Sequence, residues 1–526
     1  KGLSAQNCVE LIDGTKDNPG LYSVAYNLTP SQFLPENENE RKRLADEANS
    51  LLQRLFKLRR QISLKLSSFT EQGEQPQCAK STRKILRVLR YAEDYLGEWA
   101  LWEKSGVQPL PKTKDRNRQL FGEWITVMGP NEKTQQREFI KPQVNFTQPV
   151  LEGTAPHLLT YSPDFELQSG DILLSRGNQF SSAVIARIGD DDGQFSHLAL
   201  LYIDPQGESI KDPVERKKHM WVIEAHLEGG VMIVPFEEYQ KDGKVRAVVY
   251  RYKDATVAEQ AAAGCFKEYG DIYEQTGNWL PYDFKMEMGR DYRSLLNTAD
   301  KQMCAEVVSY CYAKATSGQV ILPAYPSTFF ELKKRTSGRQ NSLGFLADLG
   351  IETDWTFAPA DIEVDNTVEL VAEWRDYSRM EDIRLLDATM TAVFSWMRDF
   401  EYDLDRSGRN WFSRVSGFLY NTPLRRFVRE KVPPGMADDF VTTSIKMWGL
   451  SGNLIRSLET FDENQRKITG LPISYKQMIE HLEGQRQKDY QRWLKHVEKI
   501  KNDTPLAIKI DRQGLDFHHI LHPPKN

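Results

Sequence analysis

The sequence predicts an α+β protein in which antiparallel strands form a central region between N-terminal and C-terminal helical regions. Three observations support this fold class. Apolar residues step by threes and fours over residues 40–69 and 80–103, which is the period of an amphipathic helix. Short apolar runs separated by turn residues follow between residues 164 and 252, as expected of strands. Helical periodicity returns after residue 350, for example along residues 386–397.

Length and composition exclude several classes of protein. A chain of 526 residues is too long for one hydrophobic core, so we expect about two to four domains. The formal net charge of −5 gives no basic field of the kind that binds nucleic acid. No uninterrupted apolar run is long enough to span a bilayer. The hydrophobic share of 40% and the charged share of 27% are ordinary for a globular protein.

The first residue and the cysteines bear on the compartment. The chain begins with Lys1 rather than Met, which is compatible with a removed export signal that the sequence does not show. We expect a periplasmic or secreted protein, and a cytoplasmic location stays open. Five cysteines leave at least one thiol free or paired between chains. Cys8 and Cys78 are candidates for a disulfide in an oxidising compartment, whereas Cys265 and Cys311 are expected to be core residues.

The pattern divides the chain into four regions. Residues 1–110 form a helical hairpin region, and the Pro-, Lys- and Gln-rich residues 111–163 form a linker containing one short strand or helix at 121–128. Residues 164–350 form the central domain, and residues 351–526 form a C-terminal helical region. The helical regions are candidate surfaces for a protein partner, and the sequence specifies neither that partner nor the oligomeric state.

The central region begins with five predicted strands and ends with two predicted helices. The Gly-Gly pair at 229–230 is a hairpin signal between the third and fourth strands. The predicted strands are 171–175, 195–202, 221–225, 231–235 and 245–252, and the helices are 256–269 and the segment that starts at residue 304.

Cys304 lies at the start of the last of these helices. Val307, Val308, Cys311 and Ala315 follow at spacings that share one helix face. Unpaired N–H groups and the positive end of the helix dipole stabilise an anion in the first turn, so the position favours a thiolate. The ordinary alternative is a small buried apolar residue, which is the commonest role of a free cysteine. The helix alone does not decide between the two.

Two polar residues interrupt the predicted apolar strands. His197 lies in the second strand, where a histidine is most often a hydrogen-bonded core residue. Glu224 lies in the third strand, and a buried carboxylate costs free energy unless it is paired. A histidine on a neighbouring strand would supply that partner. In such a group, the thiol at a helix start can act as nucleophile, the imidazole as base, and the carboxylate as the group that orients the imidazole.

Five short motifs together resemble a circularly permuted NlpC-type cysteine hydrolase, and the YiiX/YebB-like subgroup most of all. The motifs lie at 170–176, 195–197, 222–225, 282–283 and 303–308. The resemblance covers about residues 165–330, and the set of motifs carries it rather than any one of them. It implies a papain-like fold in which the histidine strand precedes the cysteine helix, an order shared by the lecithin:retinol acyltransferases.

The resemblance also implies roles for individual residues. It makes Cys304 the nucleophile, His197 the general base and Glu224 the group that orients His197. Tyr282 resembles the family tyrosine beside the reaction centre, and we expect it to position the substrate or the oxyanion. Asp283 is expected to be structural and to bond a loop amide.

The implied reaction is acyl transfer through a thioester acyl-enzyme, with no metal and no organic cofactor. The substrate class implied most directly is an amide bond in bacterial cell-wall peptide. Two alternatives stay open: a lipid acyl hydrolase or acyltransferase with the same triad, and a non-catalytic scaffold or binding protein with a degenerate domain. A polar groove beside Cys304 would favour peptide, and an apolar tunnel would favour lipid. Ala305 stands where many relatives have Ser, a departure that affects only fine detail.

Other patterns are weaker. Glu224 and His226 share a strand face, with His219 nearby, but no HExxH-like spacing supports a metal site. Residues 190–193 resemble half of a calcium loop without the EF-hand glutamate, which is more typical of a solvated turn. His518 lies near the C-terminus and is expected to belong to a tail.

Overall fold

The computed structural model describes most of the chain in segments, and the structural statements below apply to these segments. They are residues 5–27, 37–66, 75–105, 123–128, 135–140, 158–189, 193–227, 229–241, 243–297, 299–329, 351, 353–404, 438–502, 518 and 520–523. Most of the predicted linker at 111–163 lies outside them, as do residues 190–192 of the half calcium loop.

Helices dominate both ends of the described chain. The helices, numbered α1 to α14 in chain order, are Ala5–Asp13, Leu21–Asn27, Glu38–Leu66, Gln75–Ser105, Phe180–Ile185, Pro205–Glu208, Pro213–Lys217, Phe236–Lys241, Ala255–Thr276, Tyr292–Asn297, Cys304–Ala315, Met380–Asp399, Asp438–Thr469 and Tyr475–Asn502. Within the described segments, none of these helices has both the length and the apolar character needed to cross a membrane.

A seven-stranded antiparallel sheet forms the centre of the molecule. The strands, numbered β1 to β13 in chain order, are Glu123–Met128, Gln135–Ile140, Leu159–Thr160, Ile172–Gly177, His197–Ile203, Met220–His226, Gly230–Pro235, Lys244–Tyr252, Ser327–Thr328, Trp355–Thr356, Val368–Arg375, Asp403–Leu404 and Leu521–His522. The order in the central sheet is β3-β11-β8-β4-β5-β6-β7. This arrangement confirms the α+β class. Residues 123–128, for which a strand or a helix was expected, form a strand.

The strand β11 corrects the expectation that residues 351–526 are helical. It pairs antiparallel with β8 and continues the central sheet. Its side chains are almost all buried, so it lacks the alternation of a half-exposed strand. Three charged residues, Glu369, Glu373 and Arg375, interrupt its apolar run, and the last two are buried. Burial of Glu373 and Arg375 is possible because Arg59 of α3 is paired with Glu373 and Arg375 donates to Glu93 of α4 at 2.6 Å. Sequence periodicity does not reveal these contacts.

Buried ion pairs join the helical regions to the sheet. Asp387 of α12 accepts hydrogen bonds from Arg176 of β4 at 2.9 Å, from Arg187 at 2.9 Å and from Arg246 of β8 at 3.0 Å. All four side chains are fully buried. Three guanidinium groups hold the pKa of the Asp387 carboxyl well below its ordinary value, although burial alone raises it. The C-terminal helices are therefore part of the packing of the central sheet.

Two disulfides are present, and one of them was not expected. Cys8 and Cys78 are bonded, with Cα atoms 5.7 Å apart, as the sequence allowed. Cys265 of α9 and Cys311 of α11 are also bonded, with the same Cα separation. The expectation that the latter two are simple core residues was therefore wrong about their chemistry, although both are buried. Spacing alone does not show that two helices bring these residues together.

The residue His518 lies in packed structure rather than in a tail. Its side chain is buried, and Nδ1 lies 3.0 Å from Oδ1 of Asp489 on α14. Its ring also packs against Trp493 of the same helix. The expectation failed because a partner on a distant helix compensates the burial of the imidazole.

Candidate active site

The strand register brings His197 and Glu224 to one face of the sheet. β5 and β6 are antiparallel neighbours in which Ala199 is paired with Glu224. His197 lies two residues before Ala199, so it shares a face with Ala199, and diagonal neighbours on that face are within reach of long side chains. Extending the same register by two residues places His226 opposite His197, and their ring centroids are 5.0 Å apart.

Glu224 is the buried acceptor of this group. Nε2 of His197 lies 2.7 Å from Oε2 of Glu224, and the residue is only 3% exposed. Burial raises the pKa of the Glu224 carboxyl, but attraction to His226 and hydrogen bonds from His197 and His226 outweigh it and hold the pKa well below its ordinary value. An ionised carboxylate only accepts hydrogen bonds, so His197 carries a proton on Nε2. The other ring nitrogen, Nδ1, is then available to a thiol.

Cys304 is the first residue of α11, as the periodicity predicts. The preceding residue, Met303, provides no side-chain cap, and the thiol is hydrogen-bonded to His197 and to the backbone N–H groups of Leu198 and Ala305. Burial raises the pKa of the Cys304 thiol, but the hydrogen bond and the attraction from His197 outweigh burial and lower the pKa below its ordinary value. The geometry therefore favours the thiolate form of Cys304.

Contacts further along α11 hold the helix in place. The disulfide between Cys311 and Cys265 links it to α9, and the hydroxyl of Tyr312 donates to the carbonyl of Gly170 at 2.7 Å. α9 itself begins at a capping residue, Asp254, whose carboxylate accepts from two backbone N–H groups of its first turn. Cys304 is thus presented by a helix that is tied to its neighbours.

Tyr282 lies beside this thiol because its loop is tied at two points. The N–H of Val231 donates to the carbonyl of Leu280 at 2.8 Å, and the N–H of Gln302 donates to the carbonyl of Pro281 at 3.1 Å. Gly230 has φ +77°, and a Cβ atom there would lie 1.9 Å from the Leu280 oxygen. Only glycine permits this approach. β7 and the segment just before Cys304 therefore position Tyr282 together.

Asp283, the next residue, has the structural geometry expected for it. Its carboxylate accepts from the N–H of Lys285 at 3.2 Å and from the N–H of Glu287 at 2.8 Å. Nζ of Lys301 lies 3.1 Å from the same carboxylate, which is almost fully buried. These bonds connect the tyrosine loop to the segment just before Cys304.

A cleft of about 500 Å³, including its open mouth, lies over these groups. Cys304, His197 and Tyr282 line it. Most of its other lining residues are polar, and they include Ser175, Gln179, Ser181, Ser182, Ser196 and Lys244. The cleft is open at its mouth, and its lining combines these polar groups with apolar side chains such as Ile185, Ala225 and Leu227.

Within the described segments, His197, Glu224 and His226 have ligand atoms within 4.8 Å of one another, which is close enough to hold a metal ion. The two His–Glu contacts are 2.7 Å and 2.9 Å. A tetrahedral zinc ion with bonds of about 2.0–2.1 Å separates its ligand atoms by about 3.3 Å. The observed distances therefore fit hydrogen bonds better than metal coordination, and a bound ion would have to displace two N–H protons.

The comparison with protein families agrees with this geometry. Residues 166–328 match the model of the permuted papain-like amidase enzymes, YaeF/YiiX, C92 family. This match confirms the resemblance inferred from the five motifs, and it supports hydrolase activity of the amidase or peptidase type for the central part of the chain. Searches of curated proteins and of solved structures find no match.

The structure thus brings together Cys304, His197, Glu224 and Tyr282, the four residues named from the sequence. Sequence reasoning considered His226 only as a metal ligand, whereas the structure shows it bonded to Glu224 at 2.9 Å. The i, i+2 spacing of Glu224 and His226 was a usable signal, because it places both side chains on the face that carries His197.

Proposed function

We propose that this protein is a cysteine hydrolase that cleaves an amide bond in bacterial cell-wall peptide. The observation that carries the proposal is the continuous hydrogen-bonded series from the Cys304 thiol through His197 to the buried Glu224 carboxylate. A non-catalytic binding domain has no need of this series, or of a thiol whose pKa is lowered despite burial.

In the proposed mechanism, the Cys304 thiolate attacks the carbonyl carbon of the substrate and forms a tetrahedral intermediate. His197 then donates its proton to the leaving nitrogen as the C–N bond breaks, which leaves a thioester on Cys304. A water molecule gives its proton to His197 and attacks the thioester, so the acid is released and the Cys304 thiolate beside protonated His197 is restored. Glu224 stabilises the imidazolium and keeps the ring in the required tautomer.

Tyr282 has the position of a substrate-binding group in this proposal. It lines the cleft with Cys304 on a loop tied to β7, and this places it where the carbonyl or the acyl part of a bound substrate would lie. The backbone N–H of Cys304, at the open end of α11, is a donor for the developing oxyanion.

Two polar side chains in the mixed lining of the cleft support a peptide substrate over a lipid. The hydroxyl groups of Ser181 and Ser182, which are partly exposed in the cleft, can exchange hydrogen bonds with peptide groups. A hydrocarbon chain would leave these groups without water or partners, at a cost in free energy. This contrast supports the amide-cleaving function over the lipid-acyl alternative.

Two disulfides support a location outside a reducing cytoplasm. Disulfides persist in compartments such as the periplasm and are rare in the cytosol. We propose a periplasmic or secreted enzyme on this basis, which is also where cell-wall peptide is accessible.

The test is to incubate the full chain with cell-wall stem peptides and, separately, with phospholipid vesicles, and to identify products by mass spectrometry. The expected result is a new amine and a new carboxylic acid from the peptide, absent with Cys304→Ala. A covalent acyl adduct on Cys304 in quenched samples is expected as well. Release of fatty acid from vesicles with no peptide cleavage would contradict the substrate class, and no turnover of either substrate would contradict the proposal.

A further inference from the structure

His226 contacts the side of Glu224 that His197 does not use. Its Nε2 lies 2.9 Å from Oε1 of Glu224, whereas His197 bonds Oε2. Its side chain is 14% exposed and lines the cleft. Each carboxylate oxygen therefore has one imidazole partner.

Because Glu224 is buried, its second hydrogen-bond partner, His226, affects the free energy of the site. A carboxylate that is only 3% exposed has almost no access to water, so an oxygen without a donor loses its solvation and gains nothing in return. A hydrogen bond to a charged group is also directional and stronger than a neutral one. Removing His226 would leave Oε1 unsatisfied and free the carboxylate to turn away from His197.

We propose that His226 is a positioning residue, which by bonding Oε1 holds the Glu224 carboxylate with Oε2 on His197 and so keeps His197 oriented toward Cys304. This inference rests on the proposed function. It gives His226 no proton transfer of its own, and an amide N–H at the same place therefore suffices.

Several ionisable groups lie around His226, and a substitution at this residue can affect them. The ionisable groups around it are Glu224 on its own strand, His197 on β5, Cys304 on α11, and Tyr282 and Lys244 at the same cleft. Without the hydrogen bond from His226, the Glu224 carboxylate would stabilise the His197 imidazolium less. The Cys304 thiolate would then be less stabilised as well.

The experiment compares His226→Gln, which keeps an N–H donor near the Nε2 position, with His226→Leu, which removes it. The readout is the pH profile of Cys304 alkylation by iodoacetamide on the full chain, measured by intact mass. His219→Gln is the matched control, because His219 also pairs with a carboxylate, Asp204 at 2.9 Å, but lies outside the cleft.

His226→Leu is expected to slow alkylation at pH 7 by about ten- to hundredfold and to shift the profile to higher pH. His226→Gln is expected to stay within about threefold of the parent protein, as is His219→Gln. Thermal unfolding identifies a variant that fails to fold, and His226→Gln keeps the test decisive in that case.

An unchanged profile in His226→Leu would overturn the inference. Equal losses in His226→Gln and His226→Leu, with both folded, would also overturn it, because they would show that the imidazole itself is required. If the proposed function itself is wrong, the result is different, because Cys304 of the parent protein would then be alkylated at the rate of an ordinary, unactivated thiol.

Discussion

Nε2 of His197 and Oε2 of Glu224 lie 2.7 Å apart across two antiparallel strands, with the carboxylate buried beneath the imidazole. The register of β5 and β6 produces this contact, because it pairs Ala199 with Glu224. The contact fixes which imidazole nitrogen carries the proton and therefore which one can serve the thiol.

Glu224→Gln should lower kcat for the amide substrate by about 10²- to 10⁴-fold. The amide keeps the shape but removes the negative charge that stabilises the His197 imidazolium, and it can impose the wrong tautomer. Steady-state kinetics on cell-wall peptide provide the measurement. Glu208→Gln is the control, since Glu208 lies beyond the opposite end of β5 and its side chain is 45% exposed. A loss of less than threefold in Glu224→Gln would contradict the assigned role.

The same substitution should change how stability depends on pH. The pKa of Glu224 is lowered, so the stability that its ionised form contributes is fully present above the ordinary value of 4.5. It is lost as the pH falls through the lowered pKa. Thermal unfolding from pH 3 to pH 7 should therefore show a difference between parent and Glu224→Gln that shrinks at the acid end. A difference that stays constant would argue against an ionised, paired Glu224.

Gly230→Ala should reduce activity while leaving the thiol reactive. A Cβ atom at residue 230 would meet the Leu280 oxygen, so the loop that carries Tyr282 must move. We expect a fall in kcat/KM of at least about tenfold, since misplacement of a positioning group by about 1 Å is costly. Alkylation of Cys304 should stay near the parent rate because His197 is untouched. Gly264→Ala on α9, where a Cβ meets open space, is the control and should keep full activity.

Asp387→Asn should destabilise the fold by about 3–5 kcal/mol. The substitution leaves Arg176, Arg187 and Arg246 buried with one anion fewer. Chemical denaturation at neutral pH gives the free energy of unfolding. Glu38→Gln, at an exposed ion pair with Lys42, should leave the midpoint unchanged. An unchanged midpoint of chemical denaturation in Asp387→Asn would show that burial of the three guanidinium groups does not depend on this carboxylate.

Each of Cys304, His197 and Glu224 could be predicted from the sequence because it breaks a local rule. Cys304 is a thiol at the start of an apolar helix, and His197 and Glu224 are polar groups within apolar strands. Each of them is therefore expected to have an interaction partner where it is buried. Periodicity and the cost of burying charge mark these residues as candidates, and the resemblance carried by the five motifs implies their roles. These signals identify candidates before any three-dimensional information is available.

The remaining features depend on contacts between distant parts of the chain. The strand Val368–Arg375 was missed because buried partners, among them Arg59 on α3, neutralise its charges. The Cys265–Cys311 disulfide depends on how two helices pack, which periodicity within either helix does not specify. His226 was weighed only as part of a metal site that its spacing does not support, and its contact with Glu224 opposite His197 depends on strand pairing.

The most direct test of the account is the pH profile of Cys304 alkylation. All five cysteines lie in the described part of the chain, four are in disulfides, and Cys304 is the remaining free thiol. A single adduct by intact mass under non-reducing conditions therefore reports this residue.

The account predicts rapid labelling well below the ordinary thiol pKa of about 8.5, no adduct in Cys304→Ala, and a profile shifted to higher pH in His197→Ala. Labelling that follows an ordinary thiol, or a profile that His197→Ala leaves unchanged, would contradict the triad.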